Sequence, residues 1–110
     1  MTMGIPKQAS AVNNNGSFDL HTLKKAVLVL RSVNHALRQE IIELIETNGK
    51  MTVTEIYVKL RVEQSVASQH LALLRRSGVL ETERDGKNIY YSVNKDRISE
   101  INHILRELIG

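Results

Sequence analysis

Residues 64–80 read Gln64-Ser65-Val66-Ala67-Ser68-Gln69-His70-Leu71-Ala72-Leu73-Leu74-Arg75-Arg76-Ser77-Gly78-Val79-Leu80. Ala67, Leu71 and Leu74 fall on one side of a helix, and Ser77-Gly78 is a stop signal for it. On the opposite side Ser65, Ser68, Ala72 and Arg75 recur at helical spacing, with Gln64, Gln69 and Arg76 beside them. Hydroxyls and amides on a helix suit the edges of base pairs, because small side chains allow close approach and a glutamine offers paired donor and acceptor groups to adenine. Arg75 and Arg76 at the far end suit phosphates. A plain solvated helix face has the same composition, so the neighbouring segments decide between the two.

Upstream, Thr52-Val53-Thr54-Glu55 is a capping box that starts a short helix over about 53 to 60. Three or four residues then lead into the polar-faced helix, giving helix, tight turn, helix. Before that, Leu37, Ile41, Leu44 and Ile45 line one stripe of a helix over about 34 to 47, closed by Asn48-Gly49, and Leu20, Leu23, Val27 and Leu30 line another over about 19 to 32. Downstream of Gly78 the period changes. Val79 to Arg84 and Asn88 to Val93 carry β-branched and aromatic residues on either side of Asp85-Gly86, the mark of a hairpin. Arg84, Lys87 and Asn88 surround that turn, where cations can reach a phosphate backbone, although Glu81, Glu83 and Asp85 offset part of the charge. Asn94 caps a last helix that starts with Asp96 in its first turn and carries Ile98, Ile101, Leu105 and Leu108 as its stripe. The fold expected is mainly α with a β-hairpin, in the order α-α-α-α-β-β-α.

With these pieces in this order, the run Ser65 to Leu80 resembles the helix-turn-helix signature of the ArsR/SmtB winged-helix repressors. Ala36 to Ile45 is similar to that family's second helix, and Arg84 to Val93 to its wing; the likeness extends over about residues 20 to 109. The resemblance implies a DNA-binding transcriptional regulator, with Gln64, Ser65, Ser68 and Gln69 on the recognition helix and Arg84, Lys87 and Asn88 in the wing. Arg75, Arg76 and His70 complete the expected DNA-binding set, with the reservation that His70 lies beside the apolar stripe and is as well suited to packing. Glu63 departs from the family pattern, which has a small hydroxyl there; a carboxylate near DNA repels phosphate. Family members dimerise through their first and last helices, so Leu20, Leu23, Val27, Leu30, Ile98, Ile101, Leu105 and Leu108 are the expected homodimer seam, the alternative being that they fill the protomer's own core. A two-fold dimer reads an inverted-repeat operator, and repression follows from the resemblance.

Composition sets the bounds. A chain of 110 residues supports one domain, here 18–110 preceded by a polar arm over 1–17. A formal charge of +3 and a pI near 9.4 lean towards a polyanionic partner without demanding one. Cysteine is absent, which removes disulfides, thiolate metal sites and thiol redox switches. The opening residues contain no apolar signal core, and no stretch is long enough to span a bilayer, so the expected location is the cytoplasm. No phosphate-cradling glycine loop, zinc-protease motif or nucleophile elbow suggests an enzyme.

Metal sensing, which the family resemblance raises, finds little support. The stretch Glu55 to Leu60 lacks the cysteines that metal-sensing members carry in the third helix. The last helix keeps Asp96 but not its histidine partner. Glu100, His103 and Glu107 share one face and are the remaining metal alternative; no cofactor is expected. A winged helix that binds another protein is the other alternative.

Overall fold

The computed structural model describes residues 19–110; the arm expected over 1–17 lies outside the described residues. Every helix but α4 starts where the sequence supplies an acceptor for its free amides. Helix α1 (Leu20–Val33) begins at Asp19, whose carboxylate accepts from the Thr22 amide at 3.2 Å and the Thr22 hydroxyl at 2.6 Å. Those two bonds hold the Asp19 carboxyl below the usual carboxylate value. Helix α2 (Ala36–Asn48) begins at His35, whose Nδ1 accepts from the Leu37 amide at 3.2 Å. A two-residue strand β1 (Met51–Thr52) runs directly into α3 (Val53–Leu60), where both halves of the capping box form: the Glu55 amide donates to Thr52 Oγ1 at 3.2 Å, and the Thr52 amide to Glu55 Oε1 at 2.9 Å. Arg61 takes a left-handed conformation to end α3 and admits the tight turn into α4 (Gln64–Arg76).

The hairpin consists of β2 (Leu80–Asp85) and β3 (Asn88–Val93), and α5 (Lys95–Ile109) follows, capped by Asn94 through the Arg97 amide at 3.1 Å. Asp85 pairs with Asn88, so the chain reverses at Gly86-Lys87, one residue later than the Asp85-Gly86 reading. Gly86 has φ 65°, as the first central position of a type II′ turn requires. The sheet has one strand more than the sequence suggests: β1 pairs antiparallel with β3, Met51 opposite Tyr91 and Thr52 opposite Tyr90, giving the order β1-β3-β2.

The core lies between these elements. Ile41 and Ile45 of α2, Ile56 of α3, and Leu71 and Leu74 of α4 close on Met51, Val79 and Leu80 at the root of the sheet. Ile101 joins them. It was expected at a subunit seam but is only 6% exposed, because the first turns of α5 lie against the core; Leu30 and Ile98 are likewise packed against it. The outer parts of the terminal helices remain uncovered: Leu20 is 61%, Val27 41%, Leu105 41% and Leu108 70% exposed, and Leu28 and Ile109 are also exposed.

Candidate nucleic-acid interface

Helix α4 divides along its length. Ala67, Leu71 and Leu74 are buried, while Gln64, Ser65, Ser68, Gln69, Ala72, Arg75 and Arg76 are all exposed. Among the described residues, no hydrogen bond or ion pair within the protomer engages the side chains of Gln64, Ser65, Ser68, Gln69, Arg75 or Arg76. A row of donors and acceptors with no internal partner is fully available to an external one. At the start of α4 the first helical bond runs from the Ala67 amide to the Glu63 carbonyl, leaving the amides of Gln64, Ser65 and Val66 open. Glu63 is exposed and makes no side-chain cap, so its carboxylate does not occupy them.

The far end of α4 is fixed tightly. Buried Ser77 donates its hydroxyl to the Leu74 carbonyl at 3.0 Å, and the Val79 amide reaches the same carbonyl at 3.0 Å. Gly78, at φ 81°, lies under the Arg97 guanidinium: a Cβ there would come within 3.0 Å of Arg97 Nε. Arg97 also pairs with Glu100 at 3.3 Å. The first turn of α5 thus lies over the turn that follows α4.

His70 differs from the other residues of the expected DNA-binding set. It is half-buried, its Nδ1 accepts from Arg38 Nε at 3.1 Å, and its ring lies 4.9 Å from that of His35, tilted by 52°. Arg38 was not singled out in the sequence, where it is one charge on an amphipathic helix and no spacing rule links it to a residue 32 positions away.

In the hairpin, side chains alternate between two faces. Glu81, Glu83 and Asp85 share one face with Tyr90 and Ser92, whereas Thr82 and Arg84 share the other with Tyr91 and Ile89. The carboxylates that offset the wing's charge in the sequence are thus on the opposite side from Arg84. Arg84, Lys87 and Asn88 are exposed and have no side-chain partner within the protomer. Lys50, also missed in the sequence, pairs on the acidic face with Glu83 alone: its Nζ is 3.9 Å from Glu83 Oε2 and 4.9 Å from the Tyr90 ring centroid.

A helix-turn-helix with an unpartnered polar face, followed at once by a β-hairpin with a cationic tip, is the geometry of a winged DNA reader, and the comparisons agree. The family model described as "Bacterial regulatory protein, arsR family" matches residues 36–82, from α2 into β2. The transcriptional activator HlyU of Vibrio cholerae is 30% identical over 84 residues, 76% of this chain and 77% of that protein. The transcriptional repressor PagR of Bacillus anthracis is 32% identical over 80 residues, 73% of this chain and 80% of that one. The chain belongs to the ArsR family. Its structure superposes on the crystal structure of PagR with a TM-score of 0.64, at 31% identity, covering 78% of this chain and 98% of PagR. This ArsR-family protein is a DNA-binding transcriptional regulator, not an enzyme. Its fold is also that of the homodimeric winged helix-turn-helix DNA-binding domain of Mb0332 from Mycobacterium bovis, with a TM-score of 0.68 at 20% identity, covering 83% of each chain.

Among the described residues no group of three or more His, Asp or Glu side chains is gathered to hold a metal ion. Glu100, His103 and Glu107 do not form such a group, and Glu100 is engaged by Arg97. No described helix is long and apolar enough to cross a membrane.

Proposed function

We propose that this ArsR-family regulator acts in the cytoplasm as a homodimeric repressor on an inverted-repeat operator. Helix α4 enters the major groove, the wing grips the flanking backbone, and the bound dimer excludes polymerase from the promoter. The observation that carries this reading is the outward polar face of α4, every member of which is exposed and uncommitted within the protomer. Gln64, Ser65, Ser68 and Gln69 read base edges; Arg75, Arg76, Arg84, Lys87 and Asn88 hold phosphates. That face bears no aromatic residue and no exposed large aliphatic, unlike the centre of a protein-binding surface.

The dimer is supported by the uncovered leucines and valine of α1 and α5, an apolar surface that a lone protomer would leave to water. The related fold of Mb0332 is homodimeric. A two-fold axis through that seam sets the two recognition helices about one DNA turn, ~34 Å, or a multiple of it, apart. Repression is the sign named for PagR, whereas HlyU is named an activator; a promoter–reporter fusion with and without the gene fixes the sign here.

Selecting bound fragments from the genome, then titrating salt against the enriched fragment, tests the reading. With about six phosphates neutralised, log affinity falls against log salt with a slope of about −5, and the enriched fragments carry inverted repeats. A flat salt response, or enriched fragments without two-fold symmetry, overturns it.

A further inference from the structure

Three helices meet at Arg38. Its Nη1 donates to the carbonyls of Arg31 at 3.1 Å and Ser32 at 3.3 Å, at the end of α1, while its Nε donates to His70 Nδ1 on α4. We propose that Arg38 is a positioning residue for the recognition helix, and that its bond to His70 makes the hold proton-dependent, so that acidification through the imidazole range releases α4 from the α1–α2 junction. The effect on DNA rests on the reading of α4 given above; the release itself does not.

The chemistry follows from the acceptors. Both imidazoles use Nδ1 to accept, His70 from Arg38 and His35 from the Leu37 amide, so each neutral ring carries its proton on Nε2. A second proton on His70 can only add at Nδ1, turning that acceptor into a donor aimed at the Arg38 guanidinium. The His35 ring, 4.9 Å away, adds to what opposes charge on His70. The groups acting on His70 are Arg38 of α2 and His35, the cap of that helix, while α1 contributes the Arg31 and Ser32 carbonyls that hold Arg38. Among the described residues no carboxylate forms an ion pair with any of the three side chains. Burial first, then Arg38 and His35, accordingly hold His70 below the ordinary histidine value of 6.5. Desolvation and the Arg38 guanidinium thus oppose a proton on His70, and the cost of adding it is relieved by letting the strut go.

Two substitutions in the full chain separate this from other roles. His70→Asn places an amide oxygen near the position of Nδ1, an acceptor that does not titrate; His70→Leu removes the acceptor. The probe is the genomic fragment most enriched by the wild-type protein at pH 8. Between pH 8 and pH 5.5 the wild type is expected to lose affinity several-fold, because the released helix takes up the His70 proton more readily than the held one. His70→Asn binds with the same affinity at both values, and His70→Leu binds weakly at both. Without DNA, the amide resonances of Ser68 and Gln69 move with the His70 titration in the wild type and stay fixed in His70→Asn. Should His70→Leu not fold, the asparagine variant and the amide titration carry the test. Wild-type binding that tightens in acid, as a direct His70–phosphate contact would produce, overturns the proposal. So does an asparagine variant that weakens in step with the wild type, or Ser68 and Gln69 amides indifferent to His70. If those amides follow His70 but no fragment binds at any pH, the proton-dependent strut stands and the DNA-reading role of α4 fails.

Discussion

Gln69 and His70 are consecutive residues with opposite surroundings. One helical step of about 100° turns Gln69 into solvent and His70 towards α2, so adjacent polar side chains serve recognition and support respectively. In the chain both are simply polar, which is why the sequence could group His70 with the readers while also suggesting that it packs. The outward set is testable one side chain at a time. Ser68→Ala or Gln69→Ala relaxes sequence preference by about 1–3 kcal/mol per lost base contact, whereas Arg84→Ala or Lys87→Ala weakens operator and unrelated DNA alike. Competition binding with single-base operator variants tells the two patterns apart, and a reversed pattern would exchange the roles of helix and wing. Gly78 is a different kind of residue-scale constraint. Its positive φ disfavours a side chain, so Gly78→Ala costs about 1–2 kcal/mol from the backbone, while the flexible Arg97 guanidinium above it needs to yield only slightly; the cost is read as a lowered denaturation midpoint.

At the scale of elements, the parts that a local rule governs were legible. The capping box at Thr52 and Glu55 fixed the start of α3, and the apolar period of α2 placed Ile41 and Ile45, which the structure buries completely. Where the rule is non-local the chain was silent. Strand β1 has two residues, too few to show alternation, and exists because β3 offers Tyr90 and Tyr91 an open edge. The hairpin turn was misplaced by one residue because Asp-Gly is itself a turn signal, and the pairing of Asp85 with Asn88 settles the matter for Gly86-Lys87. The α3 cap also bears on the recognition unit. Thr52→Ala removes the acceptor for the Glu55 amide and is expected to cost about 1 kcal/mol in urea denaturation, with Thr52→Ser restoring most of it. Equal stability of all three proteins would mean that β1, not the cap, fixes the entry to α3.

Across the whole molecule, the described residues form a body of 49 × 25 × 25 Å, elongated rather than round. The stripe on α5 read as a single seam in the sequence, since period alone cannot say which neighbour a helical face meets. Folding splits it: Ile101 belongs to the protomer, Leu105 and Leu108 to whatever covers the end of the helix. Charges should therefore act differently at the two places. Val27→Asp or Leu105→Glu is expected to leave the helical circular-dichroism signal intact while converting dimers to monomers in sedimentation, with poor operator affinity. Ile101→Glu, which forces a carboxylate into a buried apolar site, instead lowers stability itself. Dimers that persist through both surface changes would move the interface elsewhere on the protein.

The placement of Arg97 over Gly78 bears on this division. In the proposed dimer the outer turns of α5 meet the second copy while its first turn lies over Gly78 beside the end of α4, so one helix touches both the seam and the recognition unit.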